Sequence, residues 1–328
     1  MGVKMKDVAE LAGVSVAAVS RYLNGGYISA DKAGRIKEAI EKTGYVRSSQ
    51  ARSLRTGASR LIGVIVPKIN SESVSRVTAG VSQVLRQRGY QMLLADTGNH
   101  AERELEYLEL FQNHPVDGIV LVATMLDEEH LTAFAACRVP LVLVGQQAEG
   151  LACVYHDDFE AALEMGRAVA GAIEGPIAYV GVTDEDRAAG HDRRLGFEDG
   201  VAAAGKTFDP TLLREGAFTV DSGYRAAREL IEAAQGVPFI ACATDTMAAG
   251  AIRAIDEALG AGEGARHVSG FGDNAFLRAV TGGIPTVHFG YMTSGIEAAS
   301  MLVDAVEDAG GTQHVLRSIK LGHQLMNI

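Results

Sequence analysis

Over the first 45 residues apolar positions recur three or four apart, in three short stretches. Val8, Leu11 and Ala12 make the first stripe, and Ala12-Gly13-Val14-Ser15 reads as a turn. Val16, Val19, Tyr22 and Leu23 make the second, stopped by Asn24-Gly25-Gly26. Asp31 opens the third, with Ile36, Ala39 and Ile40 on one face and Gly44 at its end. From Tyr45 to Arg60 large apolar residues are few. Beyond Arg60 the pattern changes. Apolar runs of strand length occupy 61–67, 90–95, 118–123, 140–145, 152–155, 177–182, 239–243, 268–272 and 286–289. Amphipathic stretches separate most of them, such as 74–88, 159–173, 223–234, 246–259 and 295–309. This alternation predicts parallel sheets covered by helices. Nine strands are many for one sheet, and two doubly wound subdomains divide them better.

Charge sharpens that division. The net charge is −11. Residues 1–60 hold 11 Lys and Arg against 5 Asp and Glu, and the rest hold 19 against 36. A basic head on an acidic body fits a polyanion-binding module carried by something else, although a solvated face would give the same tally. Composition adds little: 47% hydrophobic and 22% charged residues are ordinary for a globular chain. The 38 glycines, scattered at the ends of apolar runs, suit a turn-rich α/β protein. No apolar stretch reaches the roughly 20 residues of a membrane span. The first residues lack the apolar core of a secretory signal. Cys137, Cys153 and Cys242 are too dispersed for a disulfide framework or a metal site, so a cytoplasmic protein without cofactor or metal is expected.

Residues 7–24 have what a helix-turn-helix needs. Ala9 is small where two helices approach, Gly13 sits where positive φ is expected, and Ser15 suits the N-cap of the second helix. With Val8, Val19 and Leu23 inside, Val16, Ala17, Ser20 and Arg21 face outward. Arg21 suits a bidentate contact to guanine, and the methyls of Val16 and Ala17 suit thymine. Ser20 and Asn24 suit phosphate oxygens. A plain three-helix bundle with Arg21 solvated fits the same pattern.

Asp7-Val8-Ala9-Glu10-Leu11-Ala12-Gly13-Val14-Ser15, followed by Val19-Ser20-Arg21-Tyr22-Leu23-Asn24, resembles the N-terminus of the LacI/GalR family of bacterial transcription regulators. The resemblance implies a DNA-binding head over 1–45. Lys4 replaces the family's capping Thr or Ser, and Ala18 replaces a Thr that contacts phosphate. Gly44-Tyr45-Val46-Arg47-Ser48-Ser49-Gln50-Ala51-Arg52-Ser53-Leu54 is similar to the family's hinge helix, which orders over operator DNA; Arg47 stands at its usual Pro. By resemblance, 46–60 is that hinge. Leu54 would wedge between base pairs, with Ser49, Arg52 and Arg55 near the backbone. An exposed linker with Leu54 packed on the body is the alternative.

From Leu61 the chain is similar to the family's sensor core, of the periplasmic-binding-protein type. The implied fold class is α + α/β, a helix-turn-helix head and hinge helix before two doubly wound parallel-sheet subdomains. One subdomain would hold 61–160 plus 290–320, the other 161–289 plus 321–328. Ligands of such folds bind at the carboxyl ends of the strands. That rule selects Lys68, Ser71 and Ser73 after the first strand, Gln146 after the fourth, and Asp157 after the fifth, with its neighbour Asp158 expected to cap the next helix. Helix capping would also account for one of the serines. Arg193, in Arg193-Arg194-Leu195-Gly196-Phe197, matches a family segment whose arginine reaches the effector, while Arg194 is expected at the surface. Asp245, in Ala243-Thr244-Asp245-Thr246, matches its ligand-binding aspartate, with N-capping as the alternative. Phe289 is a candidate for stacking on a sugar ring, or for the core.

The segments 65–76 and 242–246 are most similar to the sucrose- and trehalose-type regulators of this family, implying a disaccharide or its phosphate as effector. No leucine heptads are sustained near residue 328, so a homodimer on a palindromic operator is expected. The expected function is a sugar-responsive repressor with operator DNA, a sugar effector and a second subunit as partners, and no membrane. A sugar-responsive activator or a sugar-binding protein that ignores DNA is the alternative. An enzyme is not expected, because Gly270-Phe271-Gly272-Asp273 lacks the third glycine of a dinucleotide fingerprint and no phosphate-binding loop occurs.

Overall fold

The computed structural model describes residues 3–45, 58–114, 116–308 and 317–328. The chain separates into two units, Met1–Ser59 and Arg60–Ile328. In the first, helices α1 (Met5–Leu11), α2 (Val16–Leu23) and α3 (Ala30–Thr43) enclose Val8, Ala9, Ala12, Val19, Ile36 and Ala39. The turn between α1 and α2 works because Gly13 takes φ +60° and the Val14 N–H closes onto the Ala9 carbonyl at 3.0 Å. Ser15 caps α2, its hydroxyl accepting the Ala18 N–H at 3.2 Å. Lys4 has no acceptor to offer α1. Instead the Asp7 carboxylate reaches back to the Lys4 N–H at 2.7 Å.

In the second unit the order is β1 (Leu61–Val66), α4 (Glu72–Gln87), β2 (Gln91–Asp96), α5 (Ala101–Asn113), β3 (Gly118–Val122), α6 (Glu128–Ala135), β4 (Leu141–Val144), β5 (Ala152–His156) and α7 (Asp158–Ala172). There follow β6 (Ile177–Gly181), α8 (Arg193–Ala203), β7 (Leu213–Glu215), α9 (Val220–Ala233), β8 (Phe239–Cys242), α10 (Asp245–Leu259), β9 (Val268–Phe271), α11 (Ala275–Thr281), β10 (Thr286–Phe289), α12 (Tyr291–Glu307), β11 (Ser318–Leu321) and β12 (His323–Met326). The strands form two six-stranded sheets, ordered β11-β5-β4-β3-β1-β2 and β12-β10-β9-β8-β6-β7. Pairing is parallel except where β12 runs antiparallel to β10. This is the fold class expected from the sequence, a helix-turn-helix head followed along the chain by two doubly wound lobes.

Central strands are buried on both faces and therefore read as unbroken apolar runs, such as Leu61-Ile62-Gly63-Val64-Ile65-Val66. The strands missing from the sequence reading, β7, β11 and β12, are edge strands whose half-buried residues give no such run. The chain passes between lobes near residues 157, 290 and 322. His156, Phe289 and Tyr291 meet at two of these crossings, with the imidazole 4.8 Å from the Phe289 ring and 5.5 Å from the Tyr291 ring. Burial pushes the His156 pKa down to about 4, so this ring is neutral at physiological pH.

Not all glycines serve turns. Helices α4 and α12 cross backbone to backbone: a Cβ on Gly295 would stand 2.0 Å from the Val77 carbonyl oxygen, and one on Gly80 would stand 2.2 Å from that of Met292. The crossing depends on both.

Candidate functional site

The head presents one face of α2. Val16, Ala17 and Arg21 are exposed and Ser20 half-buried, while Val19 is buried behind them. The Asn24 amide donates to the Ser20 carbonyl at 2.7 Å, closing the end of the helix. Tyr27, just beyond, is 91% exposed and escaped the sequence reading. Ser49, Arg52, Leu54 and Arg55 lie outside the described residues.

The body holds a cleft between its lobes, with a cavity volume of about 180 Å³. Its residues come from loops that follow strands: Lys68, Ser71 and Ser73 after β1, Thr124 after β3, Gln146 after β4, Asp158 after β5, Asp186 after β6, Phe218 after β7, Asp245 after β8 and Asn274 after β9. The strand-end rule therefore holds for both lobes.

Arg193 and Asp158 form a buried ion pair in it. The Arg193 Nε–H donates to Asp158 Oδ1 at 2.7 Å, and one Nη1–H donates to the Ala243 carbonyl at 2.7 Å. The guanidinium also lies 5.1 Å from the Phe271 ring centre and 5.2 Å from that of Phe289. Burial opposes the Arg193 charge, but Asp158 and its neighbours outweigh it and raise the pKa above its ordinary range. Burial raises Asp158, with Arg193 pulling it back.

Asp245 ties together the ends of β8, β9 and β10. Its Oδ2 accepts the Asn274 N–H at 2.7 Å and its Oδ1 accepts the Thr286 hydroxyl at 2.7 Å. The cap of α10 is Thr244, whose hydroxyl accepts the Met247 N–H at 3.3 Å, so Asp245 is left for the cleft. Burial pushes the Asp245 and Asp186 pKa values up to about 6 each. Ser71 does not cap α4 through its side chain; its hydroxyl pairs with that of Ser73 at 2.9 Å. The Lys68 ammonium crosses to the opposite lobe and donates to the Phe218 carbonyl at 2.9 Å, with burial lowering its pKa. Arg76 also reaches across, to the Gly272 carbonyl at 3.3 Å and that of Asp273 at 3.1 Å, while pairing with Glu72 on its own helix.

Two sequence expectations need correction. Asp157 does not enter the lobe-to-lobe cleft. It caps α7 by accepting the Glu160 N–H at 3.3 Å, and Lys320 holds it at 2.7 Å. The helix starts one residue earlier than expected, which turns the neighbour Asp158 inward in its place. Phe289 is 1% exposed and packs at the lobe crossing against His156 and Phe271, not on the cleft wall. Aromatic lining comes instead from Phe218, Phe271 and Tyr291. Arg194 is held outside by Asp184 at 2.7 Å, as expected. Asp186 was missed although it too follows a strand; Phe218 was missed because its strand, β7, has only 3 residues.

Comparisons with known proteins agree with both halves. A family described as "Bacterial regulatory proteins, lacI family" matches residues 4–48. Another, "Periplasmic binding proteins and sugar binding domain of LacI family", matches residues 59–322. The sucrose operon repressor of Staphylococcus xylosus is 30% identical over 317 residues, 96% of this chain and 97% of that protein. A lac repressor dimer bound to operator and the anti-inducer ONPF has the same fold, with TM-score 0.84 and 21% identity over 100% of this chain and 98% of the other. A transcriptional regulator CelR–cellobiose complex gives TM-score 0.71 and 24% identity over 99% and 98% of the two chains.

Proposed function

Given that the chain belongs to the LacI family of bacterial transcription regulators, we propose that it acts as a homodimeric repressor of a palindromic operator, governed by a sugar bound between its lobes. Family membership carries the coarser statement by itself: the chain is a DNA-binding transcriptional repressor that responds to an effector. The sugar reading rests on one observation, an arginine–carboxylate pair and Asp245 set with Gln146 and two serines at the strand ends of a two-lobed cleft. Such a set of fixed donors and acceptors suits hydroxyl recognition. A disaccharide or its phosphate is in keeping with the relative that regulates a sucrose operon and with the cellobiose complex of CelR.

In the head, Arg21, Val16 and Ala17 read bases, and Ser15, Ser20 and Asn24 meet the backbone. In the segment after it, Leu54 wedges into the operator centre with Ser49, Arg52 and Arg55 beside it. We assign 1–45 to the head, 46–60 to the hinge and 61–328 to the core. In the core, Lys68, Ser71, Ser73, Gln146, Arg193 and Asp245 hold the effector. Exposed Leu93 and Leu94 on edge strand β2, with Phe276 and Val280 on α11, are apolar surface available to a second subunit. No helix among the described residues is long and apolar enough to cross a membrane.

A gel shift on the duplex upstream of its own gene tests the proposal, with and without sucrose, trehalose and cellobiose. Retardation relieved by one of the sugars is expected. Retardation that no sugar alters rejects the sugar, and its absence on every palindrome rejects the operator.

A further inference from the structure

Resting on the sugar reading above, we propose that the effector is an uncharged polyol recognised as a hydroxyl donor, and that the cleft discriminates against sugar phosphates. The lining charge points this way. Asp158, Asp186 and Asp245 face two cations, Lys68 and Arg193; the further carboxylate at the rim, Glu72, is held by Arg76. With values raised only to about 6, Asp186 and Asp245 are mainly ionised at neutral pH. Arg193 is neutralised by Asp158, which leaves Lys68 as the cation facing Asp186 and Asp245. Arg193 gives hydrogen bonds to Asp158 and the Ala243 carbonyl, and Lys68 gives one to the Phe218 carbonyl. A phosphate ester brings up to two negative charges and only acceptor oxygens. In this cleft it meets a surplus of carboxylates over cations.

Gln146 supplies an independent observation. It is 3% exposed and lines the cleft. Its Nε2 donates to the Thr124 carbonyl at 2.6 Å and the Ala123 carbonyl at 3.3 Å, which fixes which end of the amide is nitrogen. The other end, Oε1, is buried without a hydrogen-bond partner among the described residues. A buried acceptor left in this way carries a desolvation penalty that is recovered only when a donor arrives. A sugar hydroxyl is such a donor.

The test is calorimetry of the full chain with sucrose, trehalose and cellobiose, each beside its 6-phosphate. At least one free sugar should bind, and its phosphate at least tenfold more weakly. Gln146→Met, checked as folded by its melting curve, should weaken the free sugar about tenfold or more. Tighter binding of a phosphate overturns the inference and leaves the sugar reading intact. A folded Gln146→Met variant with the parent's affinity also overturns it. If neither form of any sugar binds, the sugar reading fails and this inference falls with it.

Discussion

Replacing Arg193 by Met tests whether the buried ion pair holds the second lobe, that of β6 to β10, together. The substitution keeps much of the side-chain volume beside Phe271 and Phe289 but leaves Asp158, itself buried, without a counter-charge. The Ala243 carbonyl loses its donor as well. Removing one partner of a buried pair costs about 3–5 kcal/mol. Unfolding entropy is about 2.1 cal/mol/K per residue, so a unit of roughly 270 residues should melt about 5–9 °C lower. The deficit should depend on pH with a definite sign. The orphaned Asp158 has a folded pKa above its unfolded value because burial raises it. The folded state then binds the extra proton, and stability falls as pH rises. The loss is therefore small near pH 5 and larger at pH 8. Scanning calorimetry at both values measures it, and Arg193→Met combined with Asp158→Leu should recover most of the loss, since an apolar pair replaces an ionic one at little cost. A single variant melting within about 1 °C of the parent at pH 8, or a double variant no better than the single, would refute the reasoning.

The same Arg193→Met variant should lose most sugar affinity while a gel shift shows retained operator binding; equal loss of both would reject the division of labour. Arg21→Ala should weaken operator binding by about 1–3 kcal/mol and relax the choice at one base pair, as read by binding to single-base operator variants. Leu54→Ala should weaken the operator complex and leave calorimetric sugar affinity unchanged. Sugar affinity should fall about tenfold between pH 7.5 and pH 5, because hydroxyls donate to ionised Asp245, whose pKa burial raises to about 6; a flat profile in calorimetry would exclude Asp245 as an acceptor. Gly295→Ala gains up to about 1 kcal/mol of helix propensity but drives a Cβ to 2.0 Å from the Val77 carbonyl. The clash should win, with a lower melting temperature.

The two-lobed fold was legible because buried parallel strands leave unbroken apolar runs and their helices leave stripes. What the sequence hid is tied to side-chain direction and to contacts distant along the chain. Asp157 and Asp158 are adjacent carboxylates at a strand end, and nothing in the apolar pattern says which one caps the helix. The Glu160 N–H and Lys320, far off in sequence, decide it. Phe289 ends an apolar run in the same way that a cleft aromatic would; only the third dimension shows it filling the place where two chain crossings meet. Gly80 and Gly295 look like helix weaknesses until the two helices are seen to cross at those positions.

The arrangement of the cleft also bears on how an effector could signal. A ligand shifts an equilibrium only by the difference between its affinities for the two states. Moving a population from 1:99 to 99:1 takes about 5.5 kcal/mol of such difference. Lys68, Ser71 and Gln146 belong to one lobe, and Arg193 and Asp245 to the other. A sugar touching both sets binds a form with the lobes together and loses one set when they part. Among the described residues, the hydrogen bonds that cross the cleft without ligand include Lys68 to the Phe218 carbonyl, and Arg76 and Glu72 to the 272–275 backbone. At about 0.5–1.5 kcal/mol for a neutral hydrogen bond and somewhat more for a charged one, they do not outweigh a full complement of ligand hydroxyls. Lobe closure is therefore within reach of the effector's own binding energy, which is the condition a sensor of this design has to meet.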